Sequence, residues 1–548
     1  MRNERRGLPN RRVHLCTESI GALRFQLRLP LSGAQVAYRF AGETLQGAFE
    51  GGGWRPMTRV ANLHQIGCGS QAGKLPPVPP AAGPRDQLTA DELLKTTDAG
   101  TGPVHNAYFL PVSQSAPARH AFKGTVKIEA TTVFKARHGC AGLAESLPEF
   151  TTAFFTHGEH LVPVIRDILQ PPSMLILSPG RVWSARDDQG MSRASFPFVL
   201  VSPYSNETHN GLATFLYDDT RVSALRVQVV QETASWAKYD GWGQAAMSYT
   251  PGLIRNEEAL QAQFAAELQQ QTPIQPWSTL QVSPGTQWPA HFDGEAAPED
   301  VSASGLVVDG AIYLHGCETR YGPYPYCRQM RHGVFSVTKS LGATVALLRL
   351  AQKYGDEVFD LKIKDYVPVT ATHDGWERVT FADALNMATG IGDLAPQREP
   401  NQPFADEGKP KMNQWGRART TKEKLAVCFS YGKYPWGPGE VLRYNSTQTF
   451  VLAAAMDSFL KRKEGPHAHL WDIITAEVFQ PLGIFHAPMM HTQETSGERD
   501  IPLLSVGLYP TIDDIAKLTT LLQNGGQHQG QQLLHDSGKI RDDVSSEG

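Results

Sequence analysis

Ser336 and Lys339 form a Ser-x-x-Lys pair at the start of a long apolar pattern, 336–354, that predicts a helix. Residues three positions apart lie on the same face of a helix, so the hydroxyl and the amine can meet. A serine hydroxyl becomes a nucleophile when a nearby base takes its proton, and a buried lysine can be that base. The pair alone is weak evidence, because it also arises by chance in ordinary first helical turns. Its place directly after a predicted strand pair favours acyl-transfer chemistry.

Tyr444 is the third candidate, in the segment Pro438-Gly-Glu-Val-Leu-Arg-Tyr-Asn-Ser446. This segment leads into a predicted helix over 447–463. A phenol can accept or give a proton at a reacting group, whereas Asn445 and Ser446 offer hydrogen bonds to a substrate. Taken alone, a tyrosine at the start of a helix is more often a packing residue, so its catalytic role depends on the rest of the pattern.

The residues that precede the pair predict a mainly β region. Apolar residues alternate with polar ones at 125–134 and 222–230, and 196–201 is a short apolar run, as is typical of strands. We predict a mainly β domain over 105–285. A poorly defined segment with a Pro-rich linker, 1–104, comes before it.

The last part of the chain, 286–548, predicts an α/β domain that carries the candidate residues. Two short strands flank the Asp309-Gly310 turn signal within 305–315. Apolar periodicity predicts further helices at 381–388, 421–429, 447–463, 470–480 and 511–524.

The segment 438–446 resembles the PGxxxxYxN loop of class C β-lactamases, D-alanyl-D-alanine carboxypeptidases and related esterases. Ser446 in the third position of YxN resembles the nylon-oligomer hydrolase branch of this β-lactamase-related serine hydrolase family. Further segments that resemble family landmarks follow in the family's order, at 354–368, 379–391, 478–484 and 507–526. The resemblance covers 305–534 and implies a β-lactamase/transpeptidase-like fold, with an antiparallel sheet and a helical block.

The resemblance also implies roles for the candidate residues. Ser336 would be the acylated nucleophile, Lys339 would assist its deprotonation, and Tyr444 would be the general base; which of the last two is the base stays open. Asn445 and Ser446 would bind substrate. Because the family's Asn is replaced by the shorter Ser446, an ester or a linear amide is favoured over a penicillin-like substrate.

The family's third motif, KTG or HxG on a C-terminal strand beside the nucleophile, is not found. His528-Gln-Gly530 has the right letters but lies in a Gly-rich stretch that predicts a turn. We therefore expect the C-terminal strands of the sheet to be missing. The alternative to a serine hydrolase is a catalytically weak binding or regulatory module, in which the β domain recognises a cell-wall or carbohydrate ligand.

Composition limits the partners of the protein. The chain of 548 residues has a formal net charge of −4, which gives no electrostatic footprint for nucleic acid. No stretch is apolar for long enough to span a membrane. His157 and His160 lack a third ligand, so no metal site is predicted, and no cofactor motif is found. The expected partner is a small-molecule or peptide ester or amide.

Two short features concern the compartment. Cys317 and Cys327 bracket a turn-rich stretch and are the candidate disulfide, which would indicate an oxidising compartment. Asn206-Glu-Thr208 is a glycosylation sequon that matters only in a secreted eukaryotic protein. The resemblance favours a periplasmic or secreted protein, although no secretory signal is visible after the basic residues 1–12.

Overall fold

The structure is a computed structural model. It describes residues 88–95, 102–112, 115–130, 147–170, 173–201, 206–233, 241–280, 292, 301–393, 410–495 and 500–536, and within 26–56 it describes strands only. Those early strands form an antiparallel four-stranded sheet in the order β1-β2-β3-β4: β1 Gln26–Arg28, β2 Gln35–Ala41, β3 Thr44–Phe49 and β4 Arg55–Pro56.

A large antiparallel sheet occupies most of the predicted β region. Its eleven strands are β5 Lys123–Ile128, β6 Phe150–His157, β7 His160–Pro163, β8 Asp167–Gln170, β9 Ser173–Leu177, β10 Gly180–Trp183, β11 Ser192–Val201, β12 Thr208–Tyr217, β13 Leu225–Glu232, β14 Trp242–Ala245 and β15 Met247–Pro251. The order is β14-β13-β12-β11-β10-β7-β6-β5-β15, with β9 and then β8 added beside β11. The prediction that this part of the chain is mainly sheet is confirmed.

Strands β11 and β12 are buried along their whole length. Since successive side chains of a strand point to opposite faces, each strand must be covered on both sides. One face of β12, with Ala213 and Phe215, packs into the core of the large sheet. The other face carries Leu212, which packs with Tyr321 and Tyr324 from the C-terminal part of the chain. The large sheet is therefore packed directly against the part of the chain that contains the candidate residues.

A second, three-stranded sheet precedes the candidate nucleophile. It consists of β16 Ile274–Pro276, β17 Ala303–Val308 and β18 Ala311–Cys317, in the order β16-β18-β17. Asp309 and Gly310 have φ angles of 49° and 75°, the two positive values that a tight two-residue hairpin turn needs. β16 lies before residue 286 and pairs in parallel with β18. The domain boundaries 105–285 and 286–548 stay a prediction.

The C-terminal part of the chain is mainly helical, as the sequence predicts. The α-helices of the described chain are α1 Ala90–Leu93, α2 Glu257–Gln269, α3 Val345–Tyr354, α4 Phe381–Leu385, α5 Pro410–Arg417, α6 Thr421–Phe429, α7 Ser446–Glu464, α8 Leu470–Ile474 and α9 Ile512–Gln523. Two-residue strands β19 Ile391–Gly392 and β20 Gly432–Lys433 pair, as do β21 Gln527–His528 and β22 Gln531–Gln532. Within the described ranges, none of the helices has the length and apolar character needed to cross a bilayer.

Helix α7 is the centre of the largest apolar core. Its side chains are buried from Ser446 to Leu460 with few exceptions, and α3, α4, α6 and α8 pack around it. Burial of this kind fixes the position of the helix start, where Tyr444 and Ser446 lie.

The predicted disulfide is confirmed. Cys317 at the end of β18 is bonded to Cys327, with Cα atoms 5.8 Å apart. The loop that the bond closes contributes Tyr321 and Tyr324 to the apolar contact with β12. The cross-link therefore restricts a segment that carries the contact between the large sheet and the C-terminal part.

Candidate active site

Ser336 lies at the beginning of the helical segment that the sequence predicts over 336–354. Residues 337 and 338 are helical, Lys339–Thr344 form a π-helical segment, and α3 follows. Phe335, directly before the serine, has a φ of 44°, in the left-handed region that non-glycine residues avoid. Such strain persists only where surrounding contacts impose it, and it is common at functional sites.

Lys339 is almost completely buried, with 8% of its surface exposed. Its Nζ lies 2.9 Å from Ser336 Oγ, 3.1 Å from Tyr444 OH, 2.8 Å from Ser446 Oγ and 2.9 Å from the backbone oxygen of Ser505. In the described ranges no carboxylate is within ion-pair distance of this amine. A buried amine surrounded by hydroxyls and one carbonyl is arranged to exchange protons with those hydroxyls.

Tyr444 completes the group. Its hydroxyl oxygen is 2.5 Å from Ser336 Oγ, and its ring centroid is 5.0 Å from Lys339 Nζ. The three side chains that the sequence singles out are therefore in mutual hydrogen-bonding contact, although Tyr444 is more than a hundred residues away in the chain. The two oxygens are within the distance that a direct proton transfer needs.

Asn445 and Ser446 have different surroundings from those that substrate binding suggests. The Asn445 side chain caps α7, with its oxygen accepting from Thr447 N at 3.0 Å and from Thr447 Oγ1 at 2.7 Å, and it is 1% exposed. Ser446 is 2% exposed and its Oγ accepts from Lys339. Substrate binding by these two residues stays a prediction, and their observed contacts are those of a helix cap and a lysine partner.

The carbonyl of Ser505 is a neighbour of Lys339 that the sequence does not reveal. It belongs to a loop before α9 in which Leu504 has a φ of 51°. The same loop returns to residues 331–338, which lead to and include Ser336 and which we call the nucleophile segment. There Leu508 N donates to Thr338 Oγ1 at 3.2 Å. The loop is therefore bonded at both ends to the turn that contains Ser336.

The backbone N–H of Ser336 has no acceptor among the residues that the structure describes. Donors at the first turn of a helix have no partner within the helix. Such a donor can bind the negative oxygen that develops when the adjacent hydroxyl attacks a carbonyl.

Comparison with known proteins concerns the part of the chain that carries this group. A family model described as Beta-lactamase matches residues 302–542. Residues 302–542 are a β-lactamase-family domain. One similar solved structure is a Bacillus anthracis protein provisionally named 6-aminohexanoate-dimer hydrolase, with 20% identity and a TM-score of 0.32. The likeness covers 44% of this chain and 58% of that one, so this chain spans little more than half of the other protein. Among curated proteins nothing matches.

The β-lactamase-family domain has no strand after β18 in its three-stranded sheet, as far as the described residues extend. His528-Gln-Gly530 lies in the two-stranded hairpin β21–β22, where Gln529 and Gly530 have φ angles of 46° and 78°. These are the angles of a tight turn, which agrees with the turn that the sequence predicts.

Two features outside this group bear on other chemistry. His157 and His160 face each other across β6 and β7, and both rings pack edge-on against Phe264, at 6.0 and 5.2 Å. A cavity of about 220 Å³ lies between Thr389-Gly390 and Trp436-Gly-Pro438, and none of the three candidate catalytic side chains lines it. Neither feature contributes to the site around Ser336.

Proposed function

We propose that the protein is a serine hydrolase that cleaves an ester or a linear amide through an acyl-enzyme on Ser336. The observation that carries the proposal is the mutual contact of Ser336 Oγ, Lys339 Nζ and Tyr444 OH at 2.5–3.1 Å. Each of these atoms is within reach of a direct proton transfer.

Proton accounting supports a base in this group. An ammonium on Lys339 without a carboxylate partner would be a costly buried charge. Removal of one proton from the ammonium–phenol form leaves either an amine with a phenol or an ammonium with a phenolate. In both of these forms the Lys339–Tyr444 pair has no net charge. In either form the pair offers one acceptor for the proton of Ser336.

Acylation then proceeds with balanced bonds. Ser336 Oγ attacks the carbonyl carbon while its proton passes to the Lys339–Tyr444 pair, and the Ser336 N–H binds the carbonyl oxygen as it becomes negative. The carbon–oxygen or carbon–nitrogen bond to the leaving group breaks as the pair returns the proton to that group. Water repeats the sequence with the same pair as base, which releases the acid and regenerates Ser336.

The substrate class rests on Ser446. Its hydroxyl is bonded to Lys339 and is 2% exposed, so this position offers no amide donor to a substrate carbonyl. A bicyclic β-lactam therefore loses an orienting contact, and simple esters and linear amides are the proposed substrates.

A binding or regulatory module is the second candidate. The feature that favours it is the three-stranded sheet, in which no strand of the described residues follows β18. In this alternative the three side chains would be retained without turnover.

Hydrolysis assays distinguish the two candidates. The purified chain and Ser336→Ala are incubated with p-nitrophenyl esters, nitrocefin and D-Ala-D-Ala peptides, and product release is followed. The proposal predicts turnover of an ester by the wild-type protein only. A folded wild-type protein that releases no more product than Ser336→Ala would contradict it.

A further inference from the structure

We infer that strand β12 of the large sheet is part of the active site, with Asn206 and Thr208 as positioning residues for Ser336 and Lys339. The inference rests on the proposed function, because it assigns these residues a role in the same acylation step. Neither residue touches the reacting atoms; each acts through the backbone that holds them.

Asn206, just before β12, holds the loop that carries the carbonyl partner of Lys339. It is 1% exposed, its Nδ2 donates to Leu508 O at 3.2 Å, and its Oδ1 accepts from Gly507 N at 2.9 Å. A side-chain amide can donate and accept at once, so it binds the backbone as a neighbouring strand would. Loss of this side chain removes the acceptor of the Gly507 N–H and one of the two donors to Leu508 O.

The loop that Asn206 binds, residues 505–508, contacts the chain on both sides of Ser336. Leu508 O accepts from Val334 N at 3.5 Å, and Leu508 N donates to Thr338 Oγ1 at 3.2 Å. Ser505, in the same loop, accepts from Lys339 Nζ. A shift of the loop after loss of the Asn206 side chain would therefore also move Lys339 Nζ and the backbone around Ser336.

Thr208 and Asn210 hold the segment that leads to Ser336. Thr208 Oγ1 donates to Arg331 O at 3.0 Å and accepts from Gly333 N at 3.3 Å. Asn210 pairs with both backbone groups of Arg331, at 2.8 and 3.0 Å. There is no space for a side chain at Gly333, because an added Cβ there would lie 1.6 Å from the backbone oxygen of Asn206.

The polarity of this contact argues for positioning over simple packing. The alternating positions 206, 208, 210 and 212 face the β-lactamase-family domain, and the apolar one, Leu212, packs against tyrosines. The polar ones lie at the nucleophile segment. Burial of a polar group costs more free energy than burial of an apolar group unless all of its hydrogen bonds are made. Apolar side chains would therefore pack here at a lower cost. Polar side chains with their hydrogen bonds made hold the backbone of the nucleophile segment in one position. The burial of Asn206 also leaves no room for a glycan at the sequon.

The test compares how fast Ser336 reacts in four full-length proteins. A fluorophosphonate probe gives the rate constant of serine modification, and p-nitrophenyl acetate gives kcat and KM. The proteins are the wild type, Asn206→Ala, Thr208→Val and Asn106→Ala. Asn106 is the matched control, because its buried amide also joins the N-terminal part of the chain to the C-terminal part, at Thr319, Gly322 and Pro323.

We expect Asn206→Ala to lower the rate constant and kcat roughly ten- to a hundredfold, the loss that a misplacement of about 1 Å causes, with little change in KM. Thr208→Val, which keeps the shape of the side chain, should lower the rate constant and kcat by a smaller factor. Asn106→Ala should retain the wild-type rate constant.

Equal rates in the wild type, Asn206→Ala and Thr208→Val would overturn the inference, and so would an equal loss in Asn106→Ala. Should Asn206→Ala fail to fold, the isosteric Thr208→Val decides alone. A wild-type protein that is not modified at Ser336 would overturn the proposed function and this inference together. A modified wild type with unaffected variants would overturn the inference alone.

Discussion

At the scale of single residues, the proposed chemistry depends on a lysine whose four polar neighbours are three hydroxyls and a carbonyl. A second buried lysine gives a useful contrast. Lys424 lies over the Trp415 ring at 4.2 Å and donates to Trp415 O, and burial lowers its pKa to about 8. The Cys428 thiol beside it is also buried, and burial raises the pKa of that thiol to about 12, so it stays protonated. Burial of a lysine alone therefore does not make a site.

Replacement of Lys339 by Met keeps the length of the side chain and removes the amine. We expect the rate of Ser336 modification by a fluorophosphonate to fall roughly a hundred- to ten-thousandfold, the usual loss when a positioned proton acceptor is removed. Lys424→Met is the matched control and should react like the wild type. Similar rates in the wild type and Lys339→Met would exclude the lysine from the mechanism.

The sequence singles out the three side chains that meet in the structure, but it does not reveal their neighbours. Ser336, Lys339 and Tyr444 stand out because their types and order resemble a family pattern. Asn445 and Ser446 were predicted to bind substrate, and a letter pattern does not show which way a side chain turns at a helix start. Asn206 was visible only as a sequon, because its partners lie about three hundred positions away.

At the scale of elements, the start of α7 determines where Tyr444 lies. Asn445 caps the helix with two hydrogen bonds to Thr447, and the helix behind it is buried in the largest core. The cap and the core together fix the direction in which the chain enters the helix.

Asn445→Ala should therefore lower both stability and activity. Loss of an N-cap usually costs about 1 kcal/mol of the free energy of unfolding, which urea denaturation measures. The rate of ester hydrolysis should fall as well, because Tyr444 is the adjacent residue. Asn445→Asp keeps the acceptor and should retain most of the stability; an Ala variant as stable as the wild type would refute the capping role.

Gly333, in the nucleophile segment, lies against the backbone that leads into β12. An added methyl group would meet Asn206 O at 1.6 Å, so Gly333→Ala should lower the free energy of unfolding by about 1–3 kcal/mol and slow the modification of Ser336. Gly416 in α5 is the control, since an added Cβ there has no neighbour within 4 Å. Gly416→Ala should be as stable as the wild type or slightly more stable. A Gly333→Ala variant as stable as the wild type would show that the backbone at Asn206 can move to make room for a methyl group.

Local elements were predictable because their signals are local. The hairpin around Asp309-Gly310, the helix over 421–429 and the strand over 196–201 follow from turn residues and apolar periodicity. The π-helical segment Lys339–Thr344 and the contact of β12 with the nucleophile segment were not predictable, since each depends on residues distant in sequence.

At the scale of the whole molecule, the large sheet and the β-lactamase-family domain are joined by buried polar groups. Arg331 is central: its Nη1 donates to Tyr509 O at 2.7 Å and its Nη2 lies 2.9 Å from His486 Nδ1. His486 Nε2 in turn lies 2.8 Å from Asp167 Oδ1 in β8. Charged groups that connect two parts of a molecule make its stability depend on pH.

His332, next to Arg331, gives a prediction of that kind. Burial lowers its pKa to about 4, from an ordinary value of 6.5, so the unfolded chain binds a proton more readily than the folded one between these values. Stability from this group is complete above pH 6.5 and is lost as the pH falls towards 4. The loss is at most about 1.4 kcal/mol per pH unit.

Urea denaturation at pH 7.5, 6.0 and 5.0 checks this dependence. The variant His332→Gln keeps the backbone bond to Pro510 O and removes the titrating ring. The wild type should lose more stability than His332→Gln as the pH is lowered. Parallel losses in the two proteins would show that His332 protonates equally in the folded and unfolded chain.

The most direct measurement is the position of the covalent adduct. The purified full-length protein is treated with a fluorophosphonate, digested and mapped by mass spectrometry, beside Ser336→Ala and Tyr444→Phe. We predict one modified peptide, with the adduct on Ser336, absent from Ser336→Ala and formed much more slowly in Tyr444→Phe. An adduct on another residue, or an unmodified wild-type protein that is folded, would contradict the assignment of Ser336 as the nucleophile.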